Sequence, residues 1–262
     1  MTNSVSSAGP KLYILLPAYN EERALAELIP AIGAALRSEP MPYEICVVDD
    51  GSRDGSVALL ETLKQQWPVR LLRHEINKGY GAALNTGFSW IAANAQPDDV
   101  ALSLDADNTH SPVYFMPMVR RLQEGFDVVT ASYMMKGGEA IGVPFKRKIF
   151  STAANGLLRL TCRVPGTYAY TNGFRAYRVA ALKRAAMQYR DKLVEETGFP
   201  GGTELLLKVA QFGVRTSEVP FILRYDRRGG QSKIRIVRTI RCYLQLIGRF
   251  AYRSAPAALP RS

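Results

Sequence analysis

Short apolar segments alternate with helix-forming segments through the N-terminal part of the chain, and no other feature of the sequence constrains the fold as strongly. Apolar runs predict buried strands at residues 11–16, 43–48, 69–73 and 100–104. Periodic apolar or alanine-rich stretches predict helices between them at residues 21–36, 54–66 and 79–95. Because strands that alternate with helices pair in a parallel sheet covered on both faces, we predict an α/β fold with a Rossmann-like, mostly parallel sheet flanked by helices.

The second half of the chain has a less regular pattern. Helices are predicted at residues 112–123, 145–160, 178–187 and 203–212. Strands or extended segments are predicted at residues 127–132, 172–177 and 214–223, and a glycine-rich loop at residues 136–144. No internal repeat or linker-like segment interrupts residues 11–233, so we interpret them as one domain.

The two ends of the chain differ from this central domain. Residues 1–10 lack the apolar core of a signal peptide, and we expect them to be a disordered lead-in. Residues 234–262 comprise a predicted basic amphipathic C-terminal helix and a tail, with apolar residues at positions 234, 237, 240, 244 and 247 and arginines between them. Such a helix can dock on anionic lipid, pack its apolar stripe on the domain, or meet a membrane-embedded partner. We expect peripheral membrane contact through residues 234–253.

The charge of the chain points to an anionic partner. The formal net charge is +11, which suits nucleic acid, a membrane surface or a phosphorylated substrate. A non-enzymatic nucleic-acid-binding protein is one alternative, but no recognition motif supports it, and we do not expect nucleic acid as a partner. The three cysteines have neither metal-binding nor disulfide-framework spacing, and no apolar run approaches the roughly 18–20 residues that cross a bilayer. We therefore expect a cytoplasmic protein, peripheral at the membrane face.

Two carboxylates follow the fourth predicted strand directly, in the run Asp105, Ala106, Asp107. On a loop, aspartates two positions apart can turn toward one cation, and their hard oxygen ligands suit Mg²⁺ or Mn²⁺. A donor with a diphosphate leaving group would use such a cation, because cleavage of the sugar bond leaves negative charge on the diphosphate. The run is equally compatible with a solvated turn that has Asn108 as its partner. His110 could approach the cation or serve the structure alone, and we favour the structural role.

Polar residues also end the first two strands and precede the third helix. Asp49 and Asp50 could accept hydrogen bonds from a nucleobase or a ribose, or could serve the turn and helix cap that follow. Residues 17–21 form a strand-to-helix turn where an aromatic side chain could cover a base. Residues 77–81 form a glycine turn that resembles a phosphate cradle, with Lys78 near a helix N-terminus. Because ligands of parallel sheets bind outside the carboxyl ends of the strands, we treat these segments as one candidate site.

Taken together, these motifs resemble those of the family 2 glycosyltransferases of the GT-A fold. The motifs are P-A-Y-N-E-E at 17–22, V-V-D-D-G-S-R-D-G at 47–55, N-K-G-Y-G-A-A-L-N-T-G at 77–87, D-A-D-N-T-H-S-P at 105–112 and R-R-G-G-Q-S-K at 227–233. Within that family the chain looks most like the polyprenol-phosphate mannosyltransferases, over residues 11–233. The resemblance implies a metal-dependent, inverting sugar transfer, with GDP-mannose as donor, Mg²⁺ or Mn²⁺ as cofactor and polyprenyl phosphate as acceptor.

The resemblance also implies a role for individual residues. Contacts with the donor nucleoside fall to Pro17, Tyr19, Glu21 and Asp50, with Asp49 beside it. By the same resemblance, Lys78 and Gly79 lie along the donor, and Asp105, Ala106 and Asp107 bind the metal and the diphosphate. Phosphates of the donor or the acceptor are bound by Arg147, Arg227 and Lys233, the last two on a loop that closes over the site. Ser132 and Asn155 lie in motifs that face the acceptor channel.

Two positions depart from the family pattern on the acceptor side. Tyr133 stands where the family has an arginine that is expected to meet the acceptor phosphate, and Tyr170 lies in a run where the family has an aspartate. These replacements favour a soluble or peptide-like acceptor as the alternative to polyprenyl phosphate. A hydroxyl acceptor would need a base, and Glu204 could be that base or could only stabilise the N-terminus of its helix.

Overall fold

The structure is a computed structural model that describes residues 9–228 and 236–251 of the 262-residue chain. Most of the expected lead-in and the expected phosphate ligand Lys233 lie outside the described residues. Among the helices that are described, none combines the length and the apolar character needed to span a membrane.

A seven-stranded sheet forms the centre of the protein. The described strands are β1 (Leu12–Ala18), β2 (Tyr43–Asp49), β3 (Val69–Arg73), β4 (Val100–Ser103), β5 (Val128–Ser132), β6 (Glu139–Ile141), β7 (Arg175–Arg178), β8 (Thr216–Pro220) and β9 (Ile222–Arg224). The order across the large sheet is β3-β2-β1-β4-β7-β5-β8, and all neighbours are parallel except the two pairs that include β7. Strands β6 and β9 form a separate parallel pair.

Helices cover both faces of the sheet, and each face has its own apolar cluster. The described helices are α1 (Glu22–Leu36), α2 (Ser56–Leu63), α3 (Tyr80–Asn94), α4 (Phe115–Gln123), α5 (Phe145–Cys162), α6 (Val179–Tyr189), α7 (Gly201–Ala210) and α8 (Ile236–Phe250). Tyr13 and Leu15 of β1 contribute to the cluster under α3 and α7, whereas Leu12 and Ile14 contribute to the cluster under α1 and α4. Burial on both faces explains why this strand is a continuous apolar run in the sequence.

The mostly parallel sheet predicted from the sequence is confirmed, and two local predictions are incomplete. Strand β7 is antiparallel to both of its neighbours. The local sequence pattern favours a strand there, but its direction depends on the path of the connections before and after it. Residues 139–141 form β6 inside the segment predicted as a loop. The sequence does not predict this strand because three residues are too few for a periodic signal.

Helix α8 packs along the domain. Its buried residues include Cys242, Tyr243, Leu246 and Phe250. Arg249, near its end, forms an ion pair with the buried carboxylate of Glu204 at 2.7 Å. The alternative in which the terminal helix packs against the domain is therefore observed, while Ile240 and Leu244 remain exposed.

The carboxyl ends of β1, β2 and β4 meet at one edge of the large sheet. Ala18 pairs with Asp49 in register, and Leu15 pairs with Ser103. The polar segments that follow these three strands therefore converge, as expected for the ligand-binding edge of a parallel sheet.

Candidate active site

Two adjoining cavities lie at this edge of the sheet. The larger has a volume of about 590 Å³ and the smaller a volume of about 300 Å³. The residues that line both cavities are Asp105, Asp107, Phe199, Arg228 and Thr239. The two carboxylates after β4 therefore lie at the junction, where a ligand in one cavity can meet a ligand in the other.

Asp105, Asp107 and His110 form a cluster at this junction. One ligand atom from each of the three side chains lies within 4.8 Å of the others. Carboxylate oxygens suit Mg²⁺ and Mn²⁺, so the chemistry of this donor set fits a divalent cation. The ring of His110 also stacks on Phe221, with centroids 5.6 Å apart, so the structural role favoured for it is present alongside its place next to the carboxylates.

Neighbouring side chains orient both carboxylates. The hydroxyl of Tyr80 donates a hydrogen bond to Oδ1 of Asp105 at 2.9 Å. The hydroxyl of Thr109 donates to Oδ1 of Asp107 at 2.6 Å, and Nη1 of Arg228 lies 3.6 Å from Oδ2 of Asp107. The two acidic groups are thus held in place by the protein itself, which reduces reorganisation when a ligand binds.

The electrostatics of the junction favour a cation. Burial raises the pKa of the Asp105 carboxyl group, and the neighbouring Asp107 raises this pKa further, whereas His110 opposes the rise. Burial and the Asp105 carboxylate raise the pKa of Tyr80 well above its ordinary value, so its hydroxyl remains a hydrogen-bond donor. A divalent cation beside the two carboxylates would offset their repulsion and the cost of their burial.

Most residues predicted to contact the donor line the larger cavity. They are Pro17, Tyr19, Glu21, Asp50, Lys78, Gly79, Asp105, Ala106 and Asp107. Asp49 lines neither cavity: its side chain is buried, and its Oδ2 accepts a hydrogen bond from the N–H of Ser52 at 3.3 Å. Consecutive residues at a strand end point to opposite sides, and of this pair only Asp50 lines the cavity. The structure thus gives no support to Asp49 as a donor contact, and that assignment stays a prediction.

The glycine turn at residues 77–81 is fastened within the protein. The N–H groups of Lys78 and Gly79 both donate to the Asp50 carboxylate at 2.8 Å, and the N–H of Gly81 donates to the carbonyl of Thr197 at 2.9 Å. These three amides are engaged, so the turn does not present them to a phosphate as the cradle interpretation expected. Its contribution to the larger cavity is the Lys78 side chain and the Gly79 backbone.

The smaller cavity has a basic and hydroxyl-rich lining. Lys146 and Arg147 line it, and Nη1 of Arg147 donates to the hydroxyl of Tyr225 at 2.9 Å. Tyr133 lines it as well, with its hydroxyl 2.8 Å from Oγ of Ser151. Arg147 and Tyr133 thus lie together in a cavity beside the carboxylates, where the resemblance places the acceptor.

Three other residues assigned to the acceptor side lie behind the cavity wall. Tyr170 is fully buried, and its hydroxyl accepts the N–H of Val164 at 2.8 Å, so this departure from the family pattern belongs to the core. Asn155 donates to Oγ1 of Thr171 at 3.0 Å and supports the lining from behind. Ser132 is buried and lines neither cavity. The change in acceptor-side chemistry therefore rests on Tyr133 alone.

Glu204 lies away from both cavities. It is fully buried and lines neither cavity. Its Oε2 accepts the N–H groups of Glu195 and Glu196 at 2.9 and 2.7 Å, and its Oε1 pairs with Lys208 at 2.9 Å. Its described partners belong to α7 itself and to the segments packed against it, which supports the alternative that Glu204 stabilises its helix. A role as a base stays a prediction.

The adjacent arginines 227 and 228 point in different directions, one toward solvent and the other toward the site. Arg227 is exposed and lines neither cavity, whereas Arg228 lines both. Of the two arginines, Arg228 is therefore the one that the described cavities place at the site, and the phosphate role of Arg227 stays a prediction. In an irregular segment no periodicity indicates which of two adjacent side chains points inward, so the sequence alone could not choose between them.

Two aromatic residues complete the junction and were not singled out from the sequence. Tyr80 and Phe199 are stacked with ring centroids 5.2 Å apart. Tyr80 belongs to the N-K-G-Y-G motif, and its place between the two glycines of the turn is a signal that sequence analysis could have used. Phe199 lies in a segment without periodicity and offered no such signal.

Comparison with protein families and curated proteins gives consistent matches. Residues 13–185 match the family model for "Glycosyl transferase family 2". The chain is 29% identical over 242 residues to a dolichol-phosphate mannosyltransferase of Pyrococcus furiosus. This alignment covers 91% of this chain and 63% of that protein. It is 30% identical over 223 residues to a polyprenol monophosphomannose synthase of Mycolicibacterium smegmatis, with 84% and 80% covered. The chain thus spans less than two thirds of the Pyrococcus furiosus protein.

Comparison with solved structures gives a fold match. Glucosyl-3-phosphoglycerate synthase from Mycobacterium tuberculosis, solved with Mn²⁺, uridine diphosphate and glucosyl-3-phosphoglycerate, aligns with a TM-score of 0.63 at 20% identity. The alignment covers 97% of this chain and 82% of that one. At this identity the similarity concerns the fold alone, and it confirms the predicted GT-A arrangement of sheet and helices.

Proposed function

Because this chain belongs to glycosyl transferase family 2, we propose that it is an inverting glycosyltransferase that moves a sugar from a nucleoside diphosphate to a polyprenyl phosphate. One observation carries the proposal: Asp105 and Asp107 lie at the junction of two cavities, one suited to a nucleotide and one suited to an anionic acceptor. Group transfer between two bound ligands requires that both reach a single point, and this junction provides it.

The larger cavity supports binding of a sugar nucleotide. Its volume of about 590 Å³ is within the usual range of small-molecule sites. Tyr19 offers an aromatic face to a base, and Oδ2 of Asp50 has capacity for one more hydrogen bond besides that from Gly79. Lys78 adds a positive charge for the phosphates.

We propose mannose as the transferred sugar and GDP-mannose as the donor. The proteins from Pyrococcus furiosus and Mycolicibacterium smegmatis are named for mannose transfer or mannose phosphate synthesis, which supports the sugar. The guanine base rests on the motif resemblance over residues 17–112.

The junction has the groups needed to stabilise a departing diphosphate. Asp105 and Asp107, with His110 beside them, would hold Mg²⁺ or Mn²⁺. When bound, the cation would neutralise the charge that develops on the leaving diphosphate. Arg228, 3.6 Å from Asp107, adds a guanidinium group that can bind a phosphate oxygen at the same place.

The smaller cavity supports an anionic acceptor. Lys146 and Arg147 would bind phosphate oxygens and orient one of them toward the sugar. A phosphate is already ionised near neutral pH, so its oxygen can attack the anomeric carbon without a general base. Attack from the side opposite to the departing diphosphate inverts the configuration at that carbon. The structural role of Glu204 is compatible with this mechanism, because no base is required.

Tyr133 supports a second candidate acceptor. A phenol hydroxyl bonded to Ser151 replaces the guanidinium group that the family pattern places here, so the cavity has one positive charge fewer. A soluble or peptide-like acceptor that carries hydroxyl groups would suit this lining. The cations that line this cavity, Lys146, Arg147 and Arg228, favour the phosphate acceptor over this alternative.

We also propose peripheral contact with the cytoplasmic face of a membrane. Within the expected segment, residues 234–253, Ile240 and Leu244 are exposed on α8. The start of α5 also exposes apolar side chains, with Phe145 at 76% and Ile149 at 53% of their full exposure, and it lines the smaller cavity. Between residues 145 and 163 the chain has lysines and arginines and no acidic residue, which suits an anionic lipid surface.

Thermal stability with ligands tests the donor proposal. GDP-mannose with Mn²⁺ is expected to raise the melting temperature, because a ligand that binds only the folded state stabilises it. Removal of Mn²⁺ or the substitution Asp107→Ala is expected to abolish most of the rise. Equal stabilisation by the nucleotide in the folded Asp107→Ala protein would contradict the assignment of the metal and diphosphate site.

A further inference from the structure

A series of hydrogen-bonded, buried polar side chains lies beneath the larger cavity. It begins at a histidine that lines neither cavity. His74 and Asp50 are exposed by only 7% and 3%. Nδ1 of His74 is 2.7 Å from Oδ1 of Asp50, and Nε2 is 2.9 Å from the hydroxyl of Thr86 on α3. A neutral imidazole with its proton on Nδ1 satisfies both contacts, since it donates to the carboxylate and accepts from the hydroxyl.

The carboxylate that His74 contacts is the group that fastens the glycine turn. Oδ1 of Asp50 accepts hydrogen bonds from Nδ1 of His74 and from the N–H of Lys78, and Oδ2 accepts one from the N–H of Gly79. The rotation of this carboxylate therefore decides where the two amides lie. Thr86 fixes the ring of His74 from the far side, so the ring in turn restricts the rotation of the carboxylate.

The turn is also confined from the opposite side. Gly79 has a φ of +101°, and a side chain there would collide with the carbonyl oxygen of Thr197. The N–H of Gly81 donates to that same carbonyl. The backbone at residues 78–81 is consequently held between Asp50 and Thr197, and it can keep one conformation only while both sides hold.

The turn leads directly to the junction of the two cavities. Lys78 and Gly79 line the larger cavity, and Tyr80 follows them and donates to Asp105. The contacts thus run without interruption from Thr86 through His74 and Asp50 to the turn, and from the turn to a carboxylate of the junction.

We propose that His74 is a positioning residue for the donor site. It sets the orientation of Asp50 and, through it, of the Lys78–Tyr80 backbone against which the sugar nucleotide binds. The part that concerns the sugar nucleotide rests on the proposed function; the part that concerns the turn does not.

Two substitutions of His74 distinguish a side chain that positions Asp50 from one that only fills space in the core. In His74→Asn the amide nitrogen can take the place of Nδ1 and keep the contact with Asp50. In His74→Gln the amide reaches the place of Nε2, near Thr86, and leaves Asp50 without this donor. Ile91→Val, in the buried face of the same helix as Thr86, controls for a general loss of stability, since it lies outside both cavities.

The experiment combines hydrogen exchange with steady-state kinetics on the folded variants. For His74→Gln we expect the amides of Lys78 and Gly79 to exchange about tenfold faster, and KM for GDP-mannose to rise about tenfold while kcat falls less. For His74→Asn and Ile91→Val both quantities should stay within about twofold of the wild-type values.

Wild-type exchange and KM in folded His74→Gln would overturn the proposal, and so would equal losses in His74→Asn and His74→Gln. If the wild-type protein binds no sugar nucleotide, the proposed function fails. The exchange rates of the two amides then still decide whether His74 positions the turn.

Discussion

The hydroxyl group of Tyr80 donates a 2.9 Å hydrogen bond to Oδ1 of Asp105, and the Tyr80 ring is stacked on Phe199 with centroids 5.2 Å apart. Tyr80 therefore connects the glycine turn, which lines the larger cavity, to a carboxylate at the junction of the two cavities. The hydroxyl of any tyrosine is protonated near neutral pH, and the raised pKa of Tyr80 extends this to more alkaline solutions, so the bond persists there as well.

Substitution of Tyr80 by phenylalanine should impair transfer without unfolding the protein. The ring can still stack on Phe199, but Asp105 loses a donor that orients it, and we expect kcat/KM to fall about tenfold. Tyr114→Phe is a matched control, because that hydroxyl bonds the N–H of Ile222 at 3.1 Å and lines neither cavity. Equal activity in the two variants would show that the Tyr80 hydroxyl does not serve the reaction.

Asp105 should destabilise the protein when no cation is bound. Burial raises its folded-state pKa above the unfolded value of about 3.9, so the folded state binds the proton more tightly. The contribution of this group to stability is therefore lost as the pH rises through the window between the two pKa values. In the presence of a chelator, Asp105→Asn should melt at a higher temperature than the wild type near neutral pH. The difference should shrink on acidification to about pH 4.

The same pair of proteins should respond oppositely to Mn²⁺. The wild type should gain stability as Mn²⁺ is added, whereas Asp105→Asn, with one carboxylate fewer, should gain much less. Melting curves with and without the metal measure both effects. A wild type that is more stable than Asp105→Asn in chelator near neutral pH would contradict the electrostatic account of the junction.

The adjacent arginines at 227 and 228 should differ sharply in their effect on activity. Arg228 lines both cavities and lies near Asp107, so Arg228→Ala should lower kcat/KM by about tenfold or more through loss of a charged phosphate contact. Arg227 is exposed and lines neither cavity, so Arg227→Ala should stay within about twofold of the wild type. Steady-state kinetics with GDP-mannose and a short-chain polyprenyl phosphate provides the test. The reverse order of effects would restore the original assignment of Arg227.

Vesicle binding should depend on the exposed apolar residues at the start of α5. We expect Phe145→Ser with Ile149→Ser to reduce sedimentation with vesicles of anionic lipid and to spare activity on a short-chain acceptor in solution, because both side chains are exposed. Met187→Ser, at an equally exposed position on α6 (73%), is the control and should bind as the wild type does. Undiminished sedimentation of the α5 variant would rule out this surface as the membrane contact.

The sequence predicted the central sheet and most of the donor side because both depend on local patterns. A run such as Val47–Asp50 combines a buried strand with the polar residues that end it, and parallel pairing then brings those ends to one edge. The strand-end acids Asp50, Asp105 and Asp107 were accordingly assigned to the cavity that they line.

The assignments that the structure does not support depend on side-chain direction and on long-range partners. Asp49 and Arg227 each lie next to a residue that faces the site, and a single residue of offset reverses which side chain enters it. Glu204 has the position of a catalytic acid in the sequence, but its carboxylate also accepts the N–H groups of Glu195 and Glu196 and pairs with Arg249 of α8. No local pattern specifies these contacts. His74 was overlooked because its contacts, Asp50 and Thr86, become neighbours only in the folded sheet.

The central claim is that a sugar passes between the two cavities across the carboxylates of Asp105 and Asp107. The most direct measurement is incubation of the purified protein with GDP-mannose, Mn²⁺ and a polyprenyl phosphate, with detection of the glycosylated lipid and of its anomeric configuration. We predict a mannosyl phospholipid of inverted configuration from the wild type and none from Asp107→Ala. A folded wild-type protein that binds GDP-mannose and Mn²⁺ but glycosylates no phosphate acceptor, or an Asp107→Ala protein that still forms the product, would contradict the account.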